Sequence, residues 1–154
     1  MRKNFFLLLA ISVALVGAEE YGQRGSTWAQ KLVDDTLAKH KDVVIMAMHV
    51  AKTDGGAHDI IASNIGRIGK PADEDDMRVI NTGKPNLEVN KASDHFEVEL
   101  AVRDVKGKIL GACGIVFNYK KGDNQQALRK KAEAIGKEMQ AQITSRERLF
   151  EPLP

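Results

Sequence analysis

The sequence has few features of the specialised protein classes. It has one cysteine, Cys113, so no disulfide can form within the chain. Aromatic residues make up only 5% of it, and no stripe of Lys and Arg interleaved with aromatics is present, which argues against nucleic-acid binding. The formal net charge of +2 disappears once Arg2 and Lys3 are set aside, because 21 basic residues then face 21 acidic ones. The charge balance therefore indicates neither a nucleic-acid nor an acidic partner.

Recognisable catalytic motifs are missing too. The sequence contains no nucleophile elbow, phosphate-binding loop or zinc-protease helix, and its histidines lack the paired spacing of metal sites. Cys113 lies in the apolar run 109–117, where a buried thiol is expected rather than a reactive one. These absences favour a binding module over an enzyme, while an enzyme with dispersed catalytic residues stays an alternative.

The first 18 residues have the three-part pattern of a signal peptide. Arg2 and Lys3 precede an apolar stretch over 5–16, and small residues at 16–18 offer a cleavage site before Glu19. The stretch is shorter than the ~20 residues needed to span a bilayer. We therefore predict a cleaved leader over 1–18 and a periplasmic or secreted mature protein of 136 residues, with no membrane span after cleavage.

The mature chain is predicted to be a single α/β (α+β) domain. Helical patterns cover about 28–39, 73–81 and a closing segment that begins at Asp123. Strand patterns cover 43–50, 60–63, 86–90, 95–103 and 109–119. The strands at 43–50 and 109–119 are apolar on both faces, which places them in the middle of a sheet covered on both sides. We expect a five-stranded antiparallel sheet with N- and C-terminal helices.

Alternation in the strand 95–103 predicts one buried and one exposed face. Phe96, Val98, Leu100 and Val102 would point inward, while Glu97, Glu99 and Arg103 would point outward. The closing helix carries an apolar stripe that includes Leu128, Ile135 and Ile143. That stripe leaves open a protein–protein adaptor as an alternative function.

The layout resembles extracytoplasmic single Cache domains, which are PAS-like small-molecule sensors. The resemblance lies in the opening helix that runs into VVIMAMHV, the segment IIASNIGRIGKPADEDD, and the hairpin FEVELAVRDVKGKILGACGIVF. It implies a domain over 28–148 with a small-molecule pocket, between a flexible lead-in at 19–27 and a loose tail at 149–154. The Tyr-, Arg- and Trp-rich signature of amino-acid-binding relatives is missing, so the resemblance names no particular ligand.

Three residues are candidate ligand contacts. Arg67 lies between glycines, and its planar guanidinium suits a carboxylate; in a Cache-like layout its loop, with Asn64, would border the pocket. The alternative is a surface arginine paired with the acids at 73–76. His49 is the only polar side chain in its strand, so it is either a pocket contact, an axial ligand to haem, or a half-buried histidine at a strand end. No cofactor is required by the sequence, and a protein partner stays unknown.

We predict that the mature protein begins at Glu19 and is released from the membrane. Mass spectrometry of the N-terminal peptide, after fractionation of cells that express the full chain, checks this. Recovery of an intact Met1 terminus in washed membranes would instead mean that the leader is an anchor.

Overall fold

The described part of the chain alternates helices with the strands of a single sheet. The computed structural model describes residue 22 and residues 24–154, so the predicted leader and part of the lead-in lie outside the described residues. None of the helices in these residues is long and apolar enough to cross a membrane. In chain order the elements are α1 (Trp28–Lys39), β1 (Val43–Ala51), β2 (His58–Ser63), α2 (Glu74–Thr82), β3 (Asn86–Val89), β4 (His95–Arg103), β5 (Ile109–Asn118), α3 (Gln125–Gln140) and α4 (Arg146–Phe150).

The five strands form one antiparallel sheet in the order β2-β1-β5-β4-β3. The predicted sheet, with helices at both ends of the chain, is confirmed. The two strands with apolar residues on both faces, β1 and β5, lie side by side inside it, as expected for strands that are covered on both sides. The short strands β2 and β3 lie at opposite edges of the sheet.

One face of the sheet holds the apolar core beneath α1 and α3. Its side chains come from alternate positions of the three inner strands, and they include Met46, Met48, Val98, Leu100, Cys113, Ile115 and Phe117. From α3 and the turn after it, Ala132, Ile135, Met139 and Ile143 are buried against this core. The apolar stripe of the closing helix is therefore used within the domain, which removes the feature on which the adaptor hypothesis rested.

The cap of α3 differs by one residue from the prediction. Asn124, not Asp123, is its N-cap, and the Asn124 side chain accepts a hydrogen bond from the backbone N–H of Ala127. The Asp123 carboxylate instead accepts the backbone N–H of Lys120 at 2.8 Å. Asp123 thus closes the turn that follows β5, and this turn places Asn124 at the start of the helix.

The C-terminal segment, expected to be loose, is attached to the start of α1. Ser145 caps the short helix α4, whose Leu149 is fully buried. The backbone N–H of Trp28 donates to Glu151 at 2.8 Å, and that of Leu153 donates to Ser26 at 2.8 Å. The prolines do end the helix, but by then its one turn has already inserted Leu149 into the core.

Replacing Leu149 by Ala should destabilise the protein by about 2–5 kcal/mol, because the change removes buried methyl groups and leaves a cavity. Urea unfolding of Leu149→Ala measures this. Leu153→Ala is the matched control, since Leu153 is 37% exposed and its truncation should cost well under half as much. Equal effects of the two changes would contradict the docking of the tail.

Candidate functional site

The second face of the sheet carries small and polar side chains at its centre. At its centre, His49 of β1 lies opposite Ala112 of β5, and Gly114 of β5 lies opposite Glu99 of β4. Glu97 lies on the same face, two residues before Glu99. We call this surface the polar face. Its small central residues leave room for the longer polar side chains that flank them.

Helix α2 covers part of the polar face and adds an acidic side chain to it. Asp73 caps the helix by accepting the backbone N–H groups of Asp75 and Asp76 at 3.0 and 3.2 Å. In return, Oδ2 of Asp76 accepts the backbone N–H of Asp73 at 2.8 Å. This reciprocal capping box fixes the Asp76 side chain on the inner side of the helix. The acidic run is therefore a helix start, as predicted, but Asp76 is turned toward the sheet.

His49 is enclosed beneath α2 rather than half-exposed at the end of its strand. It is 6% exposed, and its Nε2 atom lies 3.6 Å from Oδ2 of Asp76, which is longer than a hydrogen bond. Its Nδ1 atom is buried without a hydrogen-bond partner among the described residues. Burial lowers the pKa of His49, although the Asp76 charge opposes the shift, so the ring is neutral at pH 7.

Asp76 and Glu99 form a pair of carboxyl groups that share one proton. The two lie within hydrogen-bonding distance of each other. Burial and the neighbouring Asp76 raise the pKa of Glu99. Burial also opposes ionisation of Asp76, but hydrogen bonds from Glu99 and the backbone N–H of Asp73 outweigh it and lower the pKa of Asp76. Glu99 is therefore the protonated member, and its hydroxyl donates to the Asp76 carboxylate.

Glu97 extends this acidic region toward the open part of the face. Its carboxyl leans over Gly114, where a Cβ atom would collide with Oε1 of Glu97. Burial, followed by the charges of Glu88 and Asp76, raises the pKa of Glu97. The prediction that Glu97 and Glu99 point outward is thus wrong, because Glu99 is only 5% exposed and Glu97 is half-buried beside it.

A cavity of about 190 Å³ adjoins Glu97 on the polar face. Ile45 and Val116 form apolar walls, since they pair across β1 and β5. The polar lining comes from the edge of the sheet, where β3, β4 and the turn between them contribute Glu88, Asn90, His95 and Glu97. Apolar walls with a few convergent polar groups are typical of a small-molecule site.

Two of the predicted contact residues lie elsewhere. The Asn64 side chain accepts the backbone N–H of Met46 and donates to the carbonyl of Val44, both at 2.9 Å, so it ties the chain after β2 to β1. Arg67 is exposed on a turn beside β2, at the sheet edge opposite β3, and its backbone is left-handed, with φ 64°. It forms no ion pair with the acids at 73–76 among the described residues.

The structure thus does not bring the three predicted residues together. Asn64 and Arg67 do not line the cavity, and neither does His49, which lies deeper on the same face. A role for Arg67 and Asn64 in binding stays a prediction. Because His49 is packed against Asp76 under α2, the geometry gives no support to an axial haem ligand at this position.

The residues that sequence reasoning missed were Glu97, Glu99 and Asp76. A usable signal was present for the two glutamates. Since β5 is apolar on both faces, its neighbour β4 must also be covered on both faces, so the alternate residues of β4 could not all be exposed. Asp76 had no comparable signal, because its position depends on how the capping box orients one acid among four.

Metal and thiol chemistry receive no support within the described residues. No group of three or more His, Cys, Asp or Glu side chains there is arranged to hold a metal ion. Cys113 is buried on the apolar face, and burial strongly raises the pKa of its thiol. This agrees with the expectation of an unreactive core cysteine.

The sheet and its helices have the arrangement of GAF and PAS domains. The chain is similar in structure to the GAF domain of A. aeolicus nlh2 in an inactive state, with 15% identity, a TM-score of 0.54 and coverage of 71% of this chain and 80% of that one. It is also similar to the Agobacterium tumefaciens repressor BlcR, with 11% identity, a TM-score of 0.52 and coverage of 81% and 68%. No family model matches the sequence, and no curated protein matches it. These likenesses establish the fold.

The pair of carboxyls predicts a pH-dependent stability. Because the pKa of Glu99 is raised on folding, the unfolded chain loses this proton at lower pH, and stability falls as pH rises toward the folded-state pKa. His49 is present in both the wild type and Glu99→Gln, and burial lowers its pKa in the folded state, so the difference between their slopes reports on Glu99. Between about pH 7 and 8.5, the unfolding free energy of the wild type should therefore fall faster than that of Glu99→Gln, by up to about 1.4 kcal/mol per pH unit.

Chemical unfolding across that range measures the two slopes. Glu74→Gln is the control, because Glu74 is exposed on the first turn of α2 and its removal should leave the wild-type slope unchanged. Identical slopes in all three proteins would mean that Glu99 ionises normally in the folded state.

Proposed function

We propose that this chain is an exported, non-catalytic module that binds a small molecule on the polar face and acts as a sensor or carrier. The observation that carries the proposal is the cavity between β1, β5 and the β3–β4 edge. It combines apolar walls at Ile45 and Val116 with convergent polar groups at Glu97 and its neighbours. A ligand there would contact both the sheet and the edge hairpin.

The buried polar groups support a binding role over a purely structural one. Most buried polar atoms in proteins have hydrogen-bond partners, whereas Nδ1 of His49 and Oε1 of Glu99 have none among the described residues. Burying each of these unpaired atoms lowers the free energy of unfolding, whereas burying an apolar side chain of similar size would not. Both unpaired atoms lie on the polar face, while the opposite face holds an ordinary apolar core. This difference favours ligand binding on the polar face.

Export and the Cache relationship are part of the same proposal. The leader pattern at 1–18 supports export, and the segments quoted for the Cache resemblance now have defined places in the fold. VVIMAMHV is β1, and the hairpin that begins at Phe96 supplies β4 and β5. The shared PAS-like architecture makes a pocket on one face of the sheet the expected ligand position, although fold alone does not fix function.

An enzyme is the second candidate, and the Asp76–Glu99 pair favours it. Carboxyl groups with opposed pKa shifts are typical of general acid–base catalysis. Neither of these two residues lines the cavity, however, and α2 lies over both. A substrate in the cavity would contact Glu97 first, so we favour binding.

Thermal-shift measurements with a library of small metabolites test the proposal. A compound that binds only the folded state at a hundred times its Kd stabilises it by about 2.7 kcal/mol. We expect at least one compound to stabilise the wild type. Ile45→Trp, which places a large side chain at the cavity wall, should weaken binding of that compound at least tenfold.

Leu87→Trp is the matched control, since Leu87 is 40% exposed on β3 and does not line the cavity. It should bind as the wild type does. If no compound stabilises the wild type, or if all three proteins respond equally, the cavity is not a binding site.

A further inference from the structure

Two acidic residues line the cavity, and neither forms an ion pair among the described residues. Glu88 of β3 and Glu97 of β4 lie directly opposite each other, and both line the cavity. Glu99 follows on the same face, beyond Glu97. None of the ion pairs among the described residues includes Glu88, Glu97 or Glu99.

The positive groups nearby are already engaged or act elsewhere. His95 lines the cavity, but its Nδ1 atom already contacts Oδ1 of Asp94, at 2.7 Å. The charge of Lys70 lowers the pKa of Asp76 and of His49, but Lys70 forms no ion pair with Glu97. Arg67, the expected anion contact, lies at the opposite edge of the sheet.

Glu99, two residues beyond Glu97 on the same face, has one oxygen without a hydrogen-bond partner among the described residues. This oxygen is Oε1, and only 5% of the surface of Glu99 is exposed. Glu97 leans over Gly114, the residue that pairs with Glu99. Glu97 lines the cavity and Glu99 does not, so a donor that enters the cavity contacts Glu97 first.

The apolar walls restrict what kind of cation fits. Val116 is 7% exposed, and it faces the half-buried Ile45 across the strand pair. A hydrated metal ion gains nothing from such walls, and the described residues offer it no ligand set. A protonated amine satisfies both parts of the cavity, because its N–H groups donate to carboxylates while its carbon chain is buried.

We propose that the ligand of this chain is a small organic amine, whose ammonium group pairs with Glu97 and Glu88 while its carbon skeleton packs between Ile45 and Val116. This inference rests on the proposed function, because it names the chemical class of that ligand. The proposed ligand is a cation, whereas the sequence pattern around Arg67 had indicated an anion.

Matched compounds that differ only in charge test the assignment. We would titrate the full chain at about pH 8 with the amine, alcohol and carboxylate of the ethyl, butyl and hexyl skeletons, and follow binding by thermal shift and calorimetry. Amines alone should bind, and the longer skeletons should bind more tightly. Glu97→Gln should weaken binding of the best amine at least tenfold, whereas the affinity of Glu74→Gln for that amine should stay within twofold of the wild-type value.

Each other outcome overturns a specific part of the proposal. Binding of the alcohols or carboxylates without the amines would refute the ligand class and leave the binding function intact. Stabilisation by Ca²⁺, Mg²⁺, Mn²⁺ or Zn²⁺ alone would refute it in favour of a metal. Amine binding that Glu97→Gln leaves unchanged would place the amine elsewhere. If none of the compounds and none of the metabolites of the wider library bind, both the ligand class and the proposed function fail.

Discussion

Burial of carboxyl groups beneath α2 is the constraint on which the polar face depends. An ionised carboxylate is costly to remove from water unless it is paired. The cost is lower here because Glu99 is protonated and hydrogen-bonded to Asp76, and because the Asp73 capping box holds Asp76 in place. The small residues at Ala112 and Gly114 then give the acidic side chains the space they need against the sheet.

The two faces of the sheet have separate roles as a result. The face beneath α1 and α3 supplies the apolar burial that stabilises a domain of this size, and the tail closes its end through Leu149. The polar face contributes little to that burial and retains unpartnered atoms on His49 and Glu99. The apolar core and the proposed binding surface thus lie on opposite sides of the same strands, so changes on one side need not disturb the other.

The fold could be predicted from the sequence further than the site could. The strands at 43–50 and 109–119 could be placed at the centre of the sheet because they are apolar on both faces, and a strand's apolar faces reflect its burial directly. The site depends on long-range placement: Asp76 meets Glu99 only after α2 folds over β4. Arg67 was predicted as a ligand contact because glycines flank it; its turn lies beside β2, away from the cavity. The C-terminal docking was missed because a single capped turn is too short to show a period.

Carboxyl-carbon NMR titration of Glu97 and Glu99 distinguishes a polar face that binds a cationic ligand from one that does not. In the free protein both side chains are expected to titrate above their ordinary value near 4.5. We further expect that butylammonium shifts the Glu97 resonance and lowers its midpoint, while butyrate does neither. Ordinary titration of both glutamates, with no response to the amine, would contradict the account.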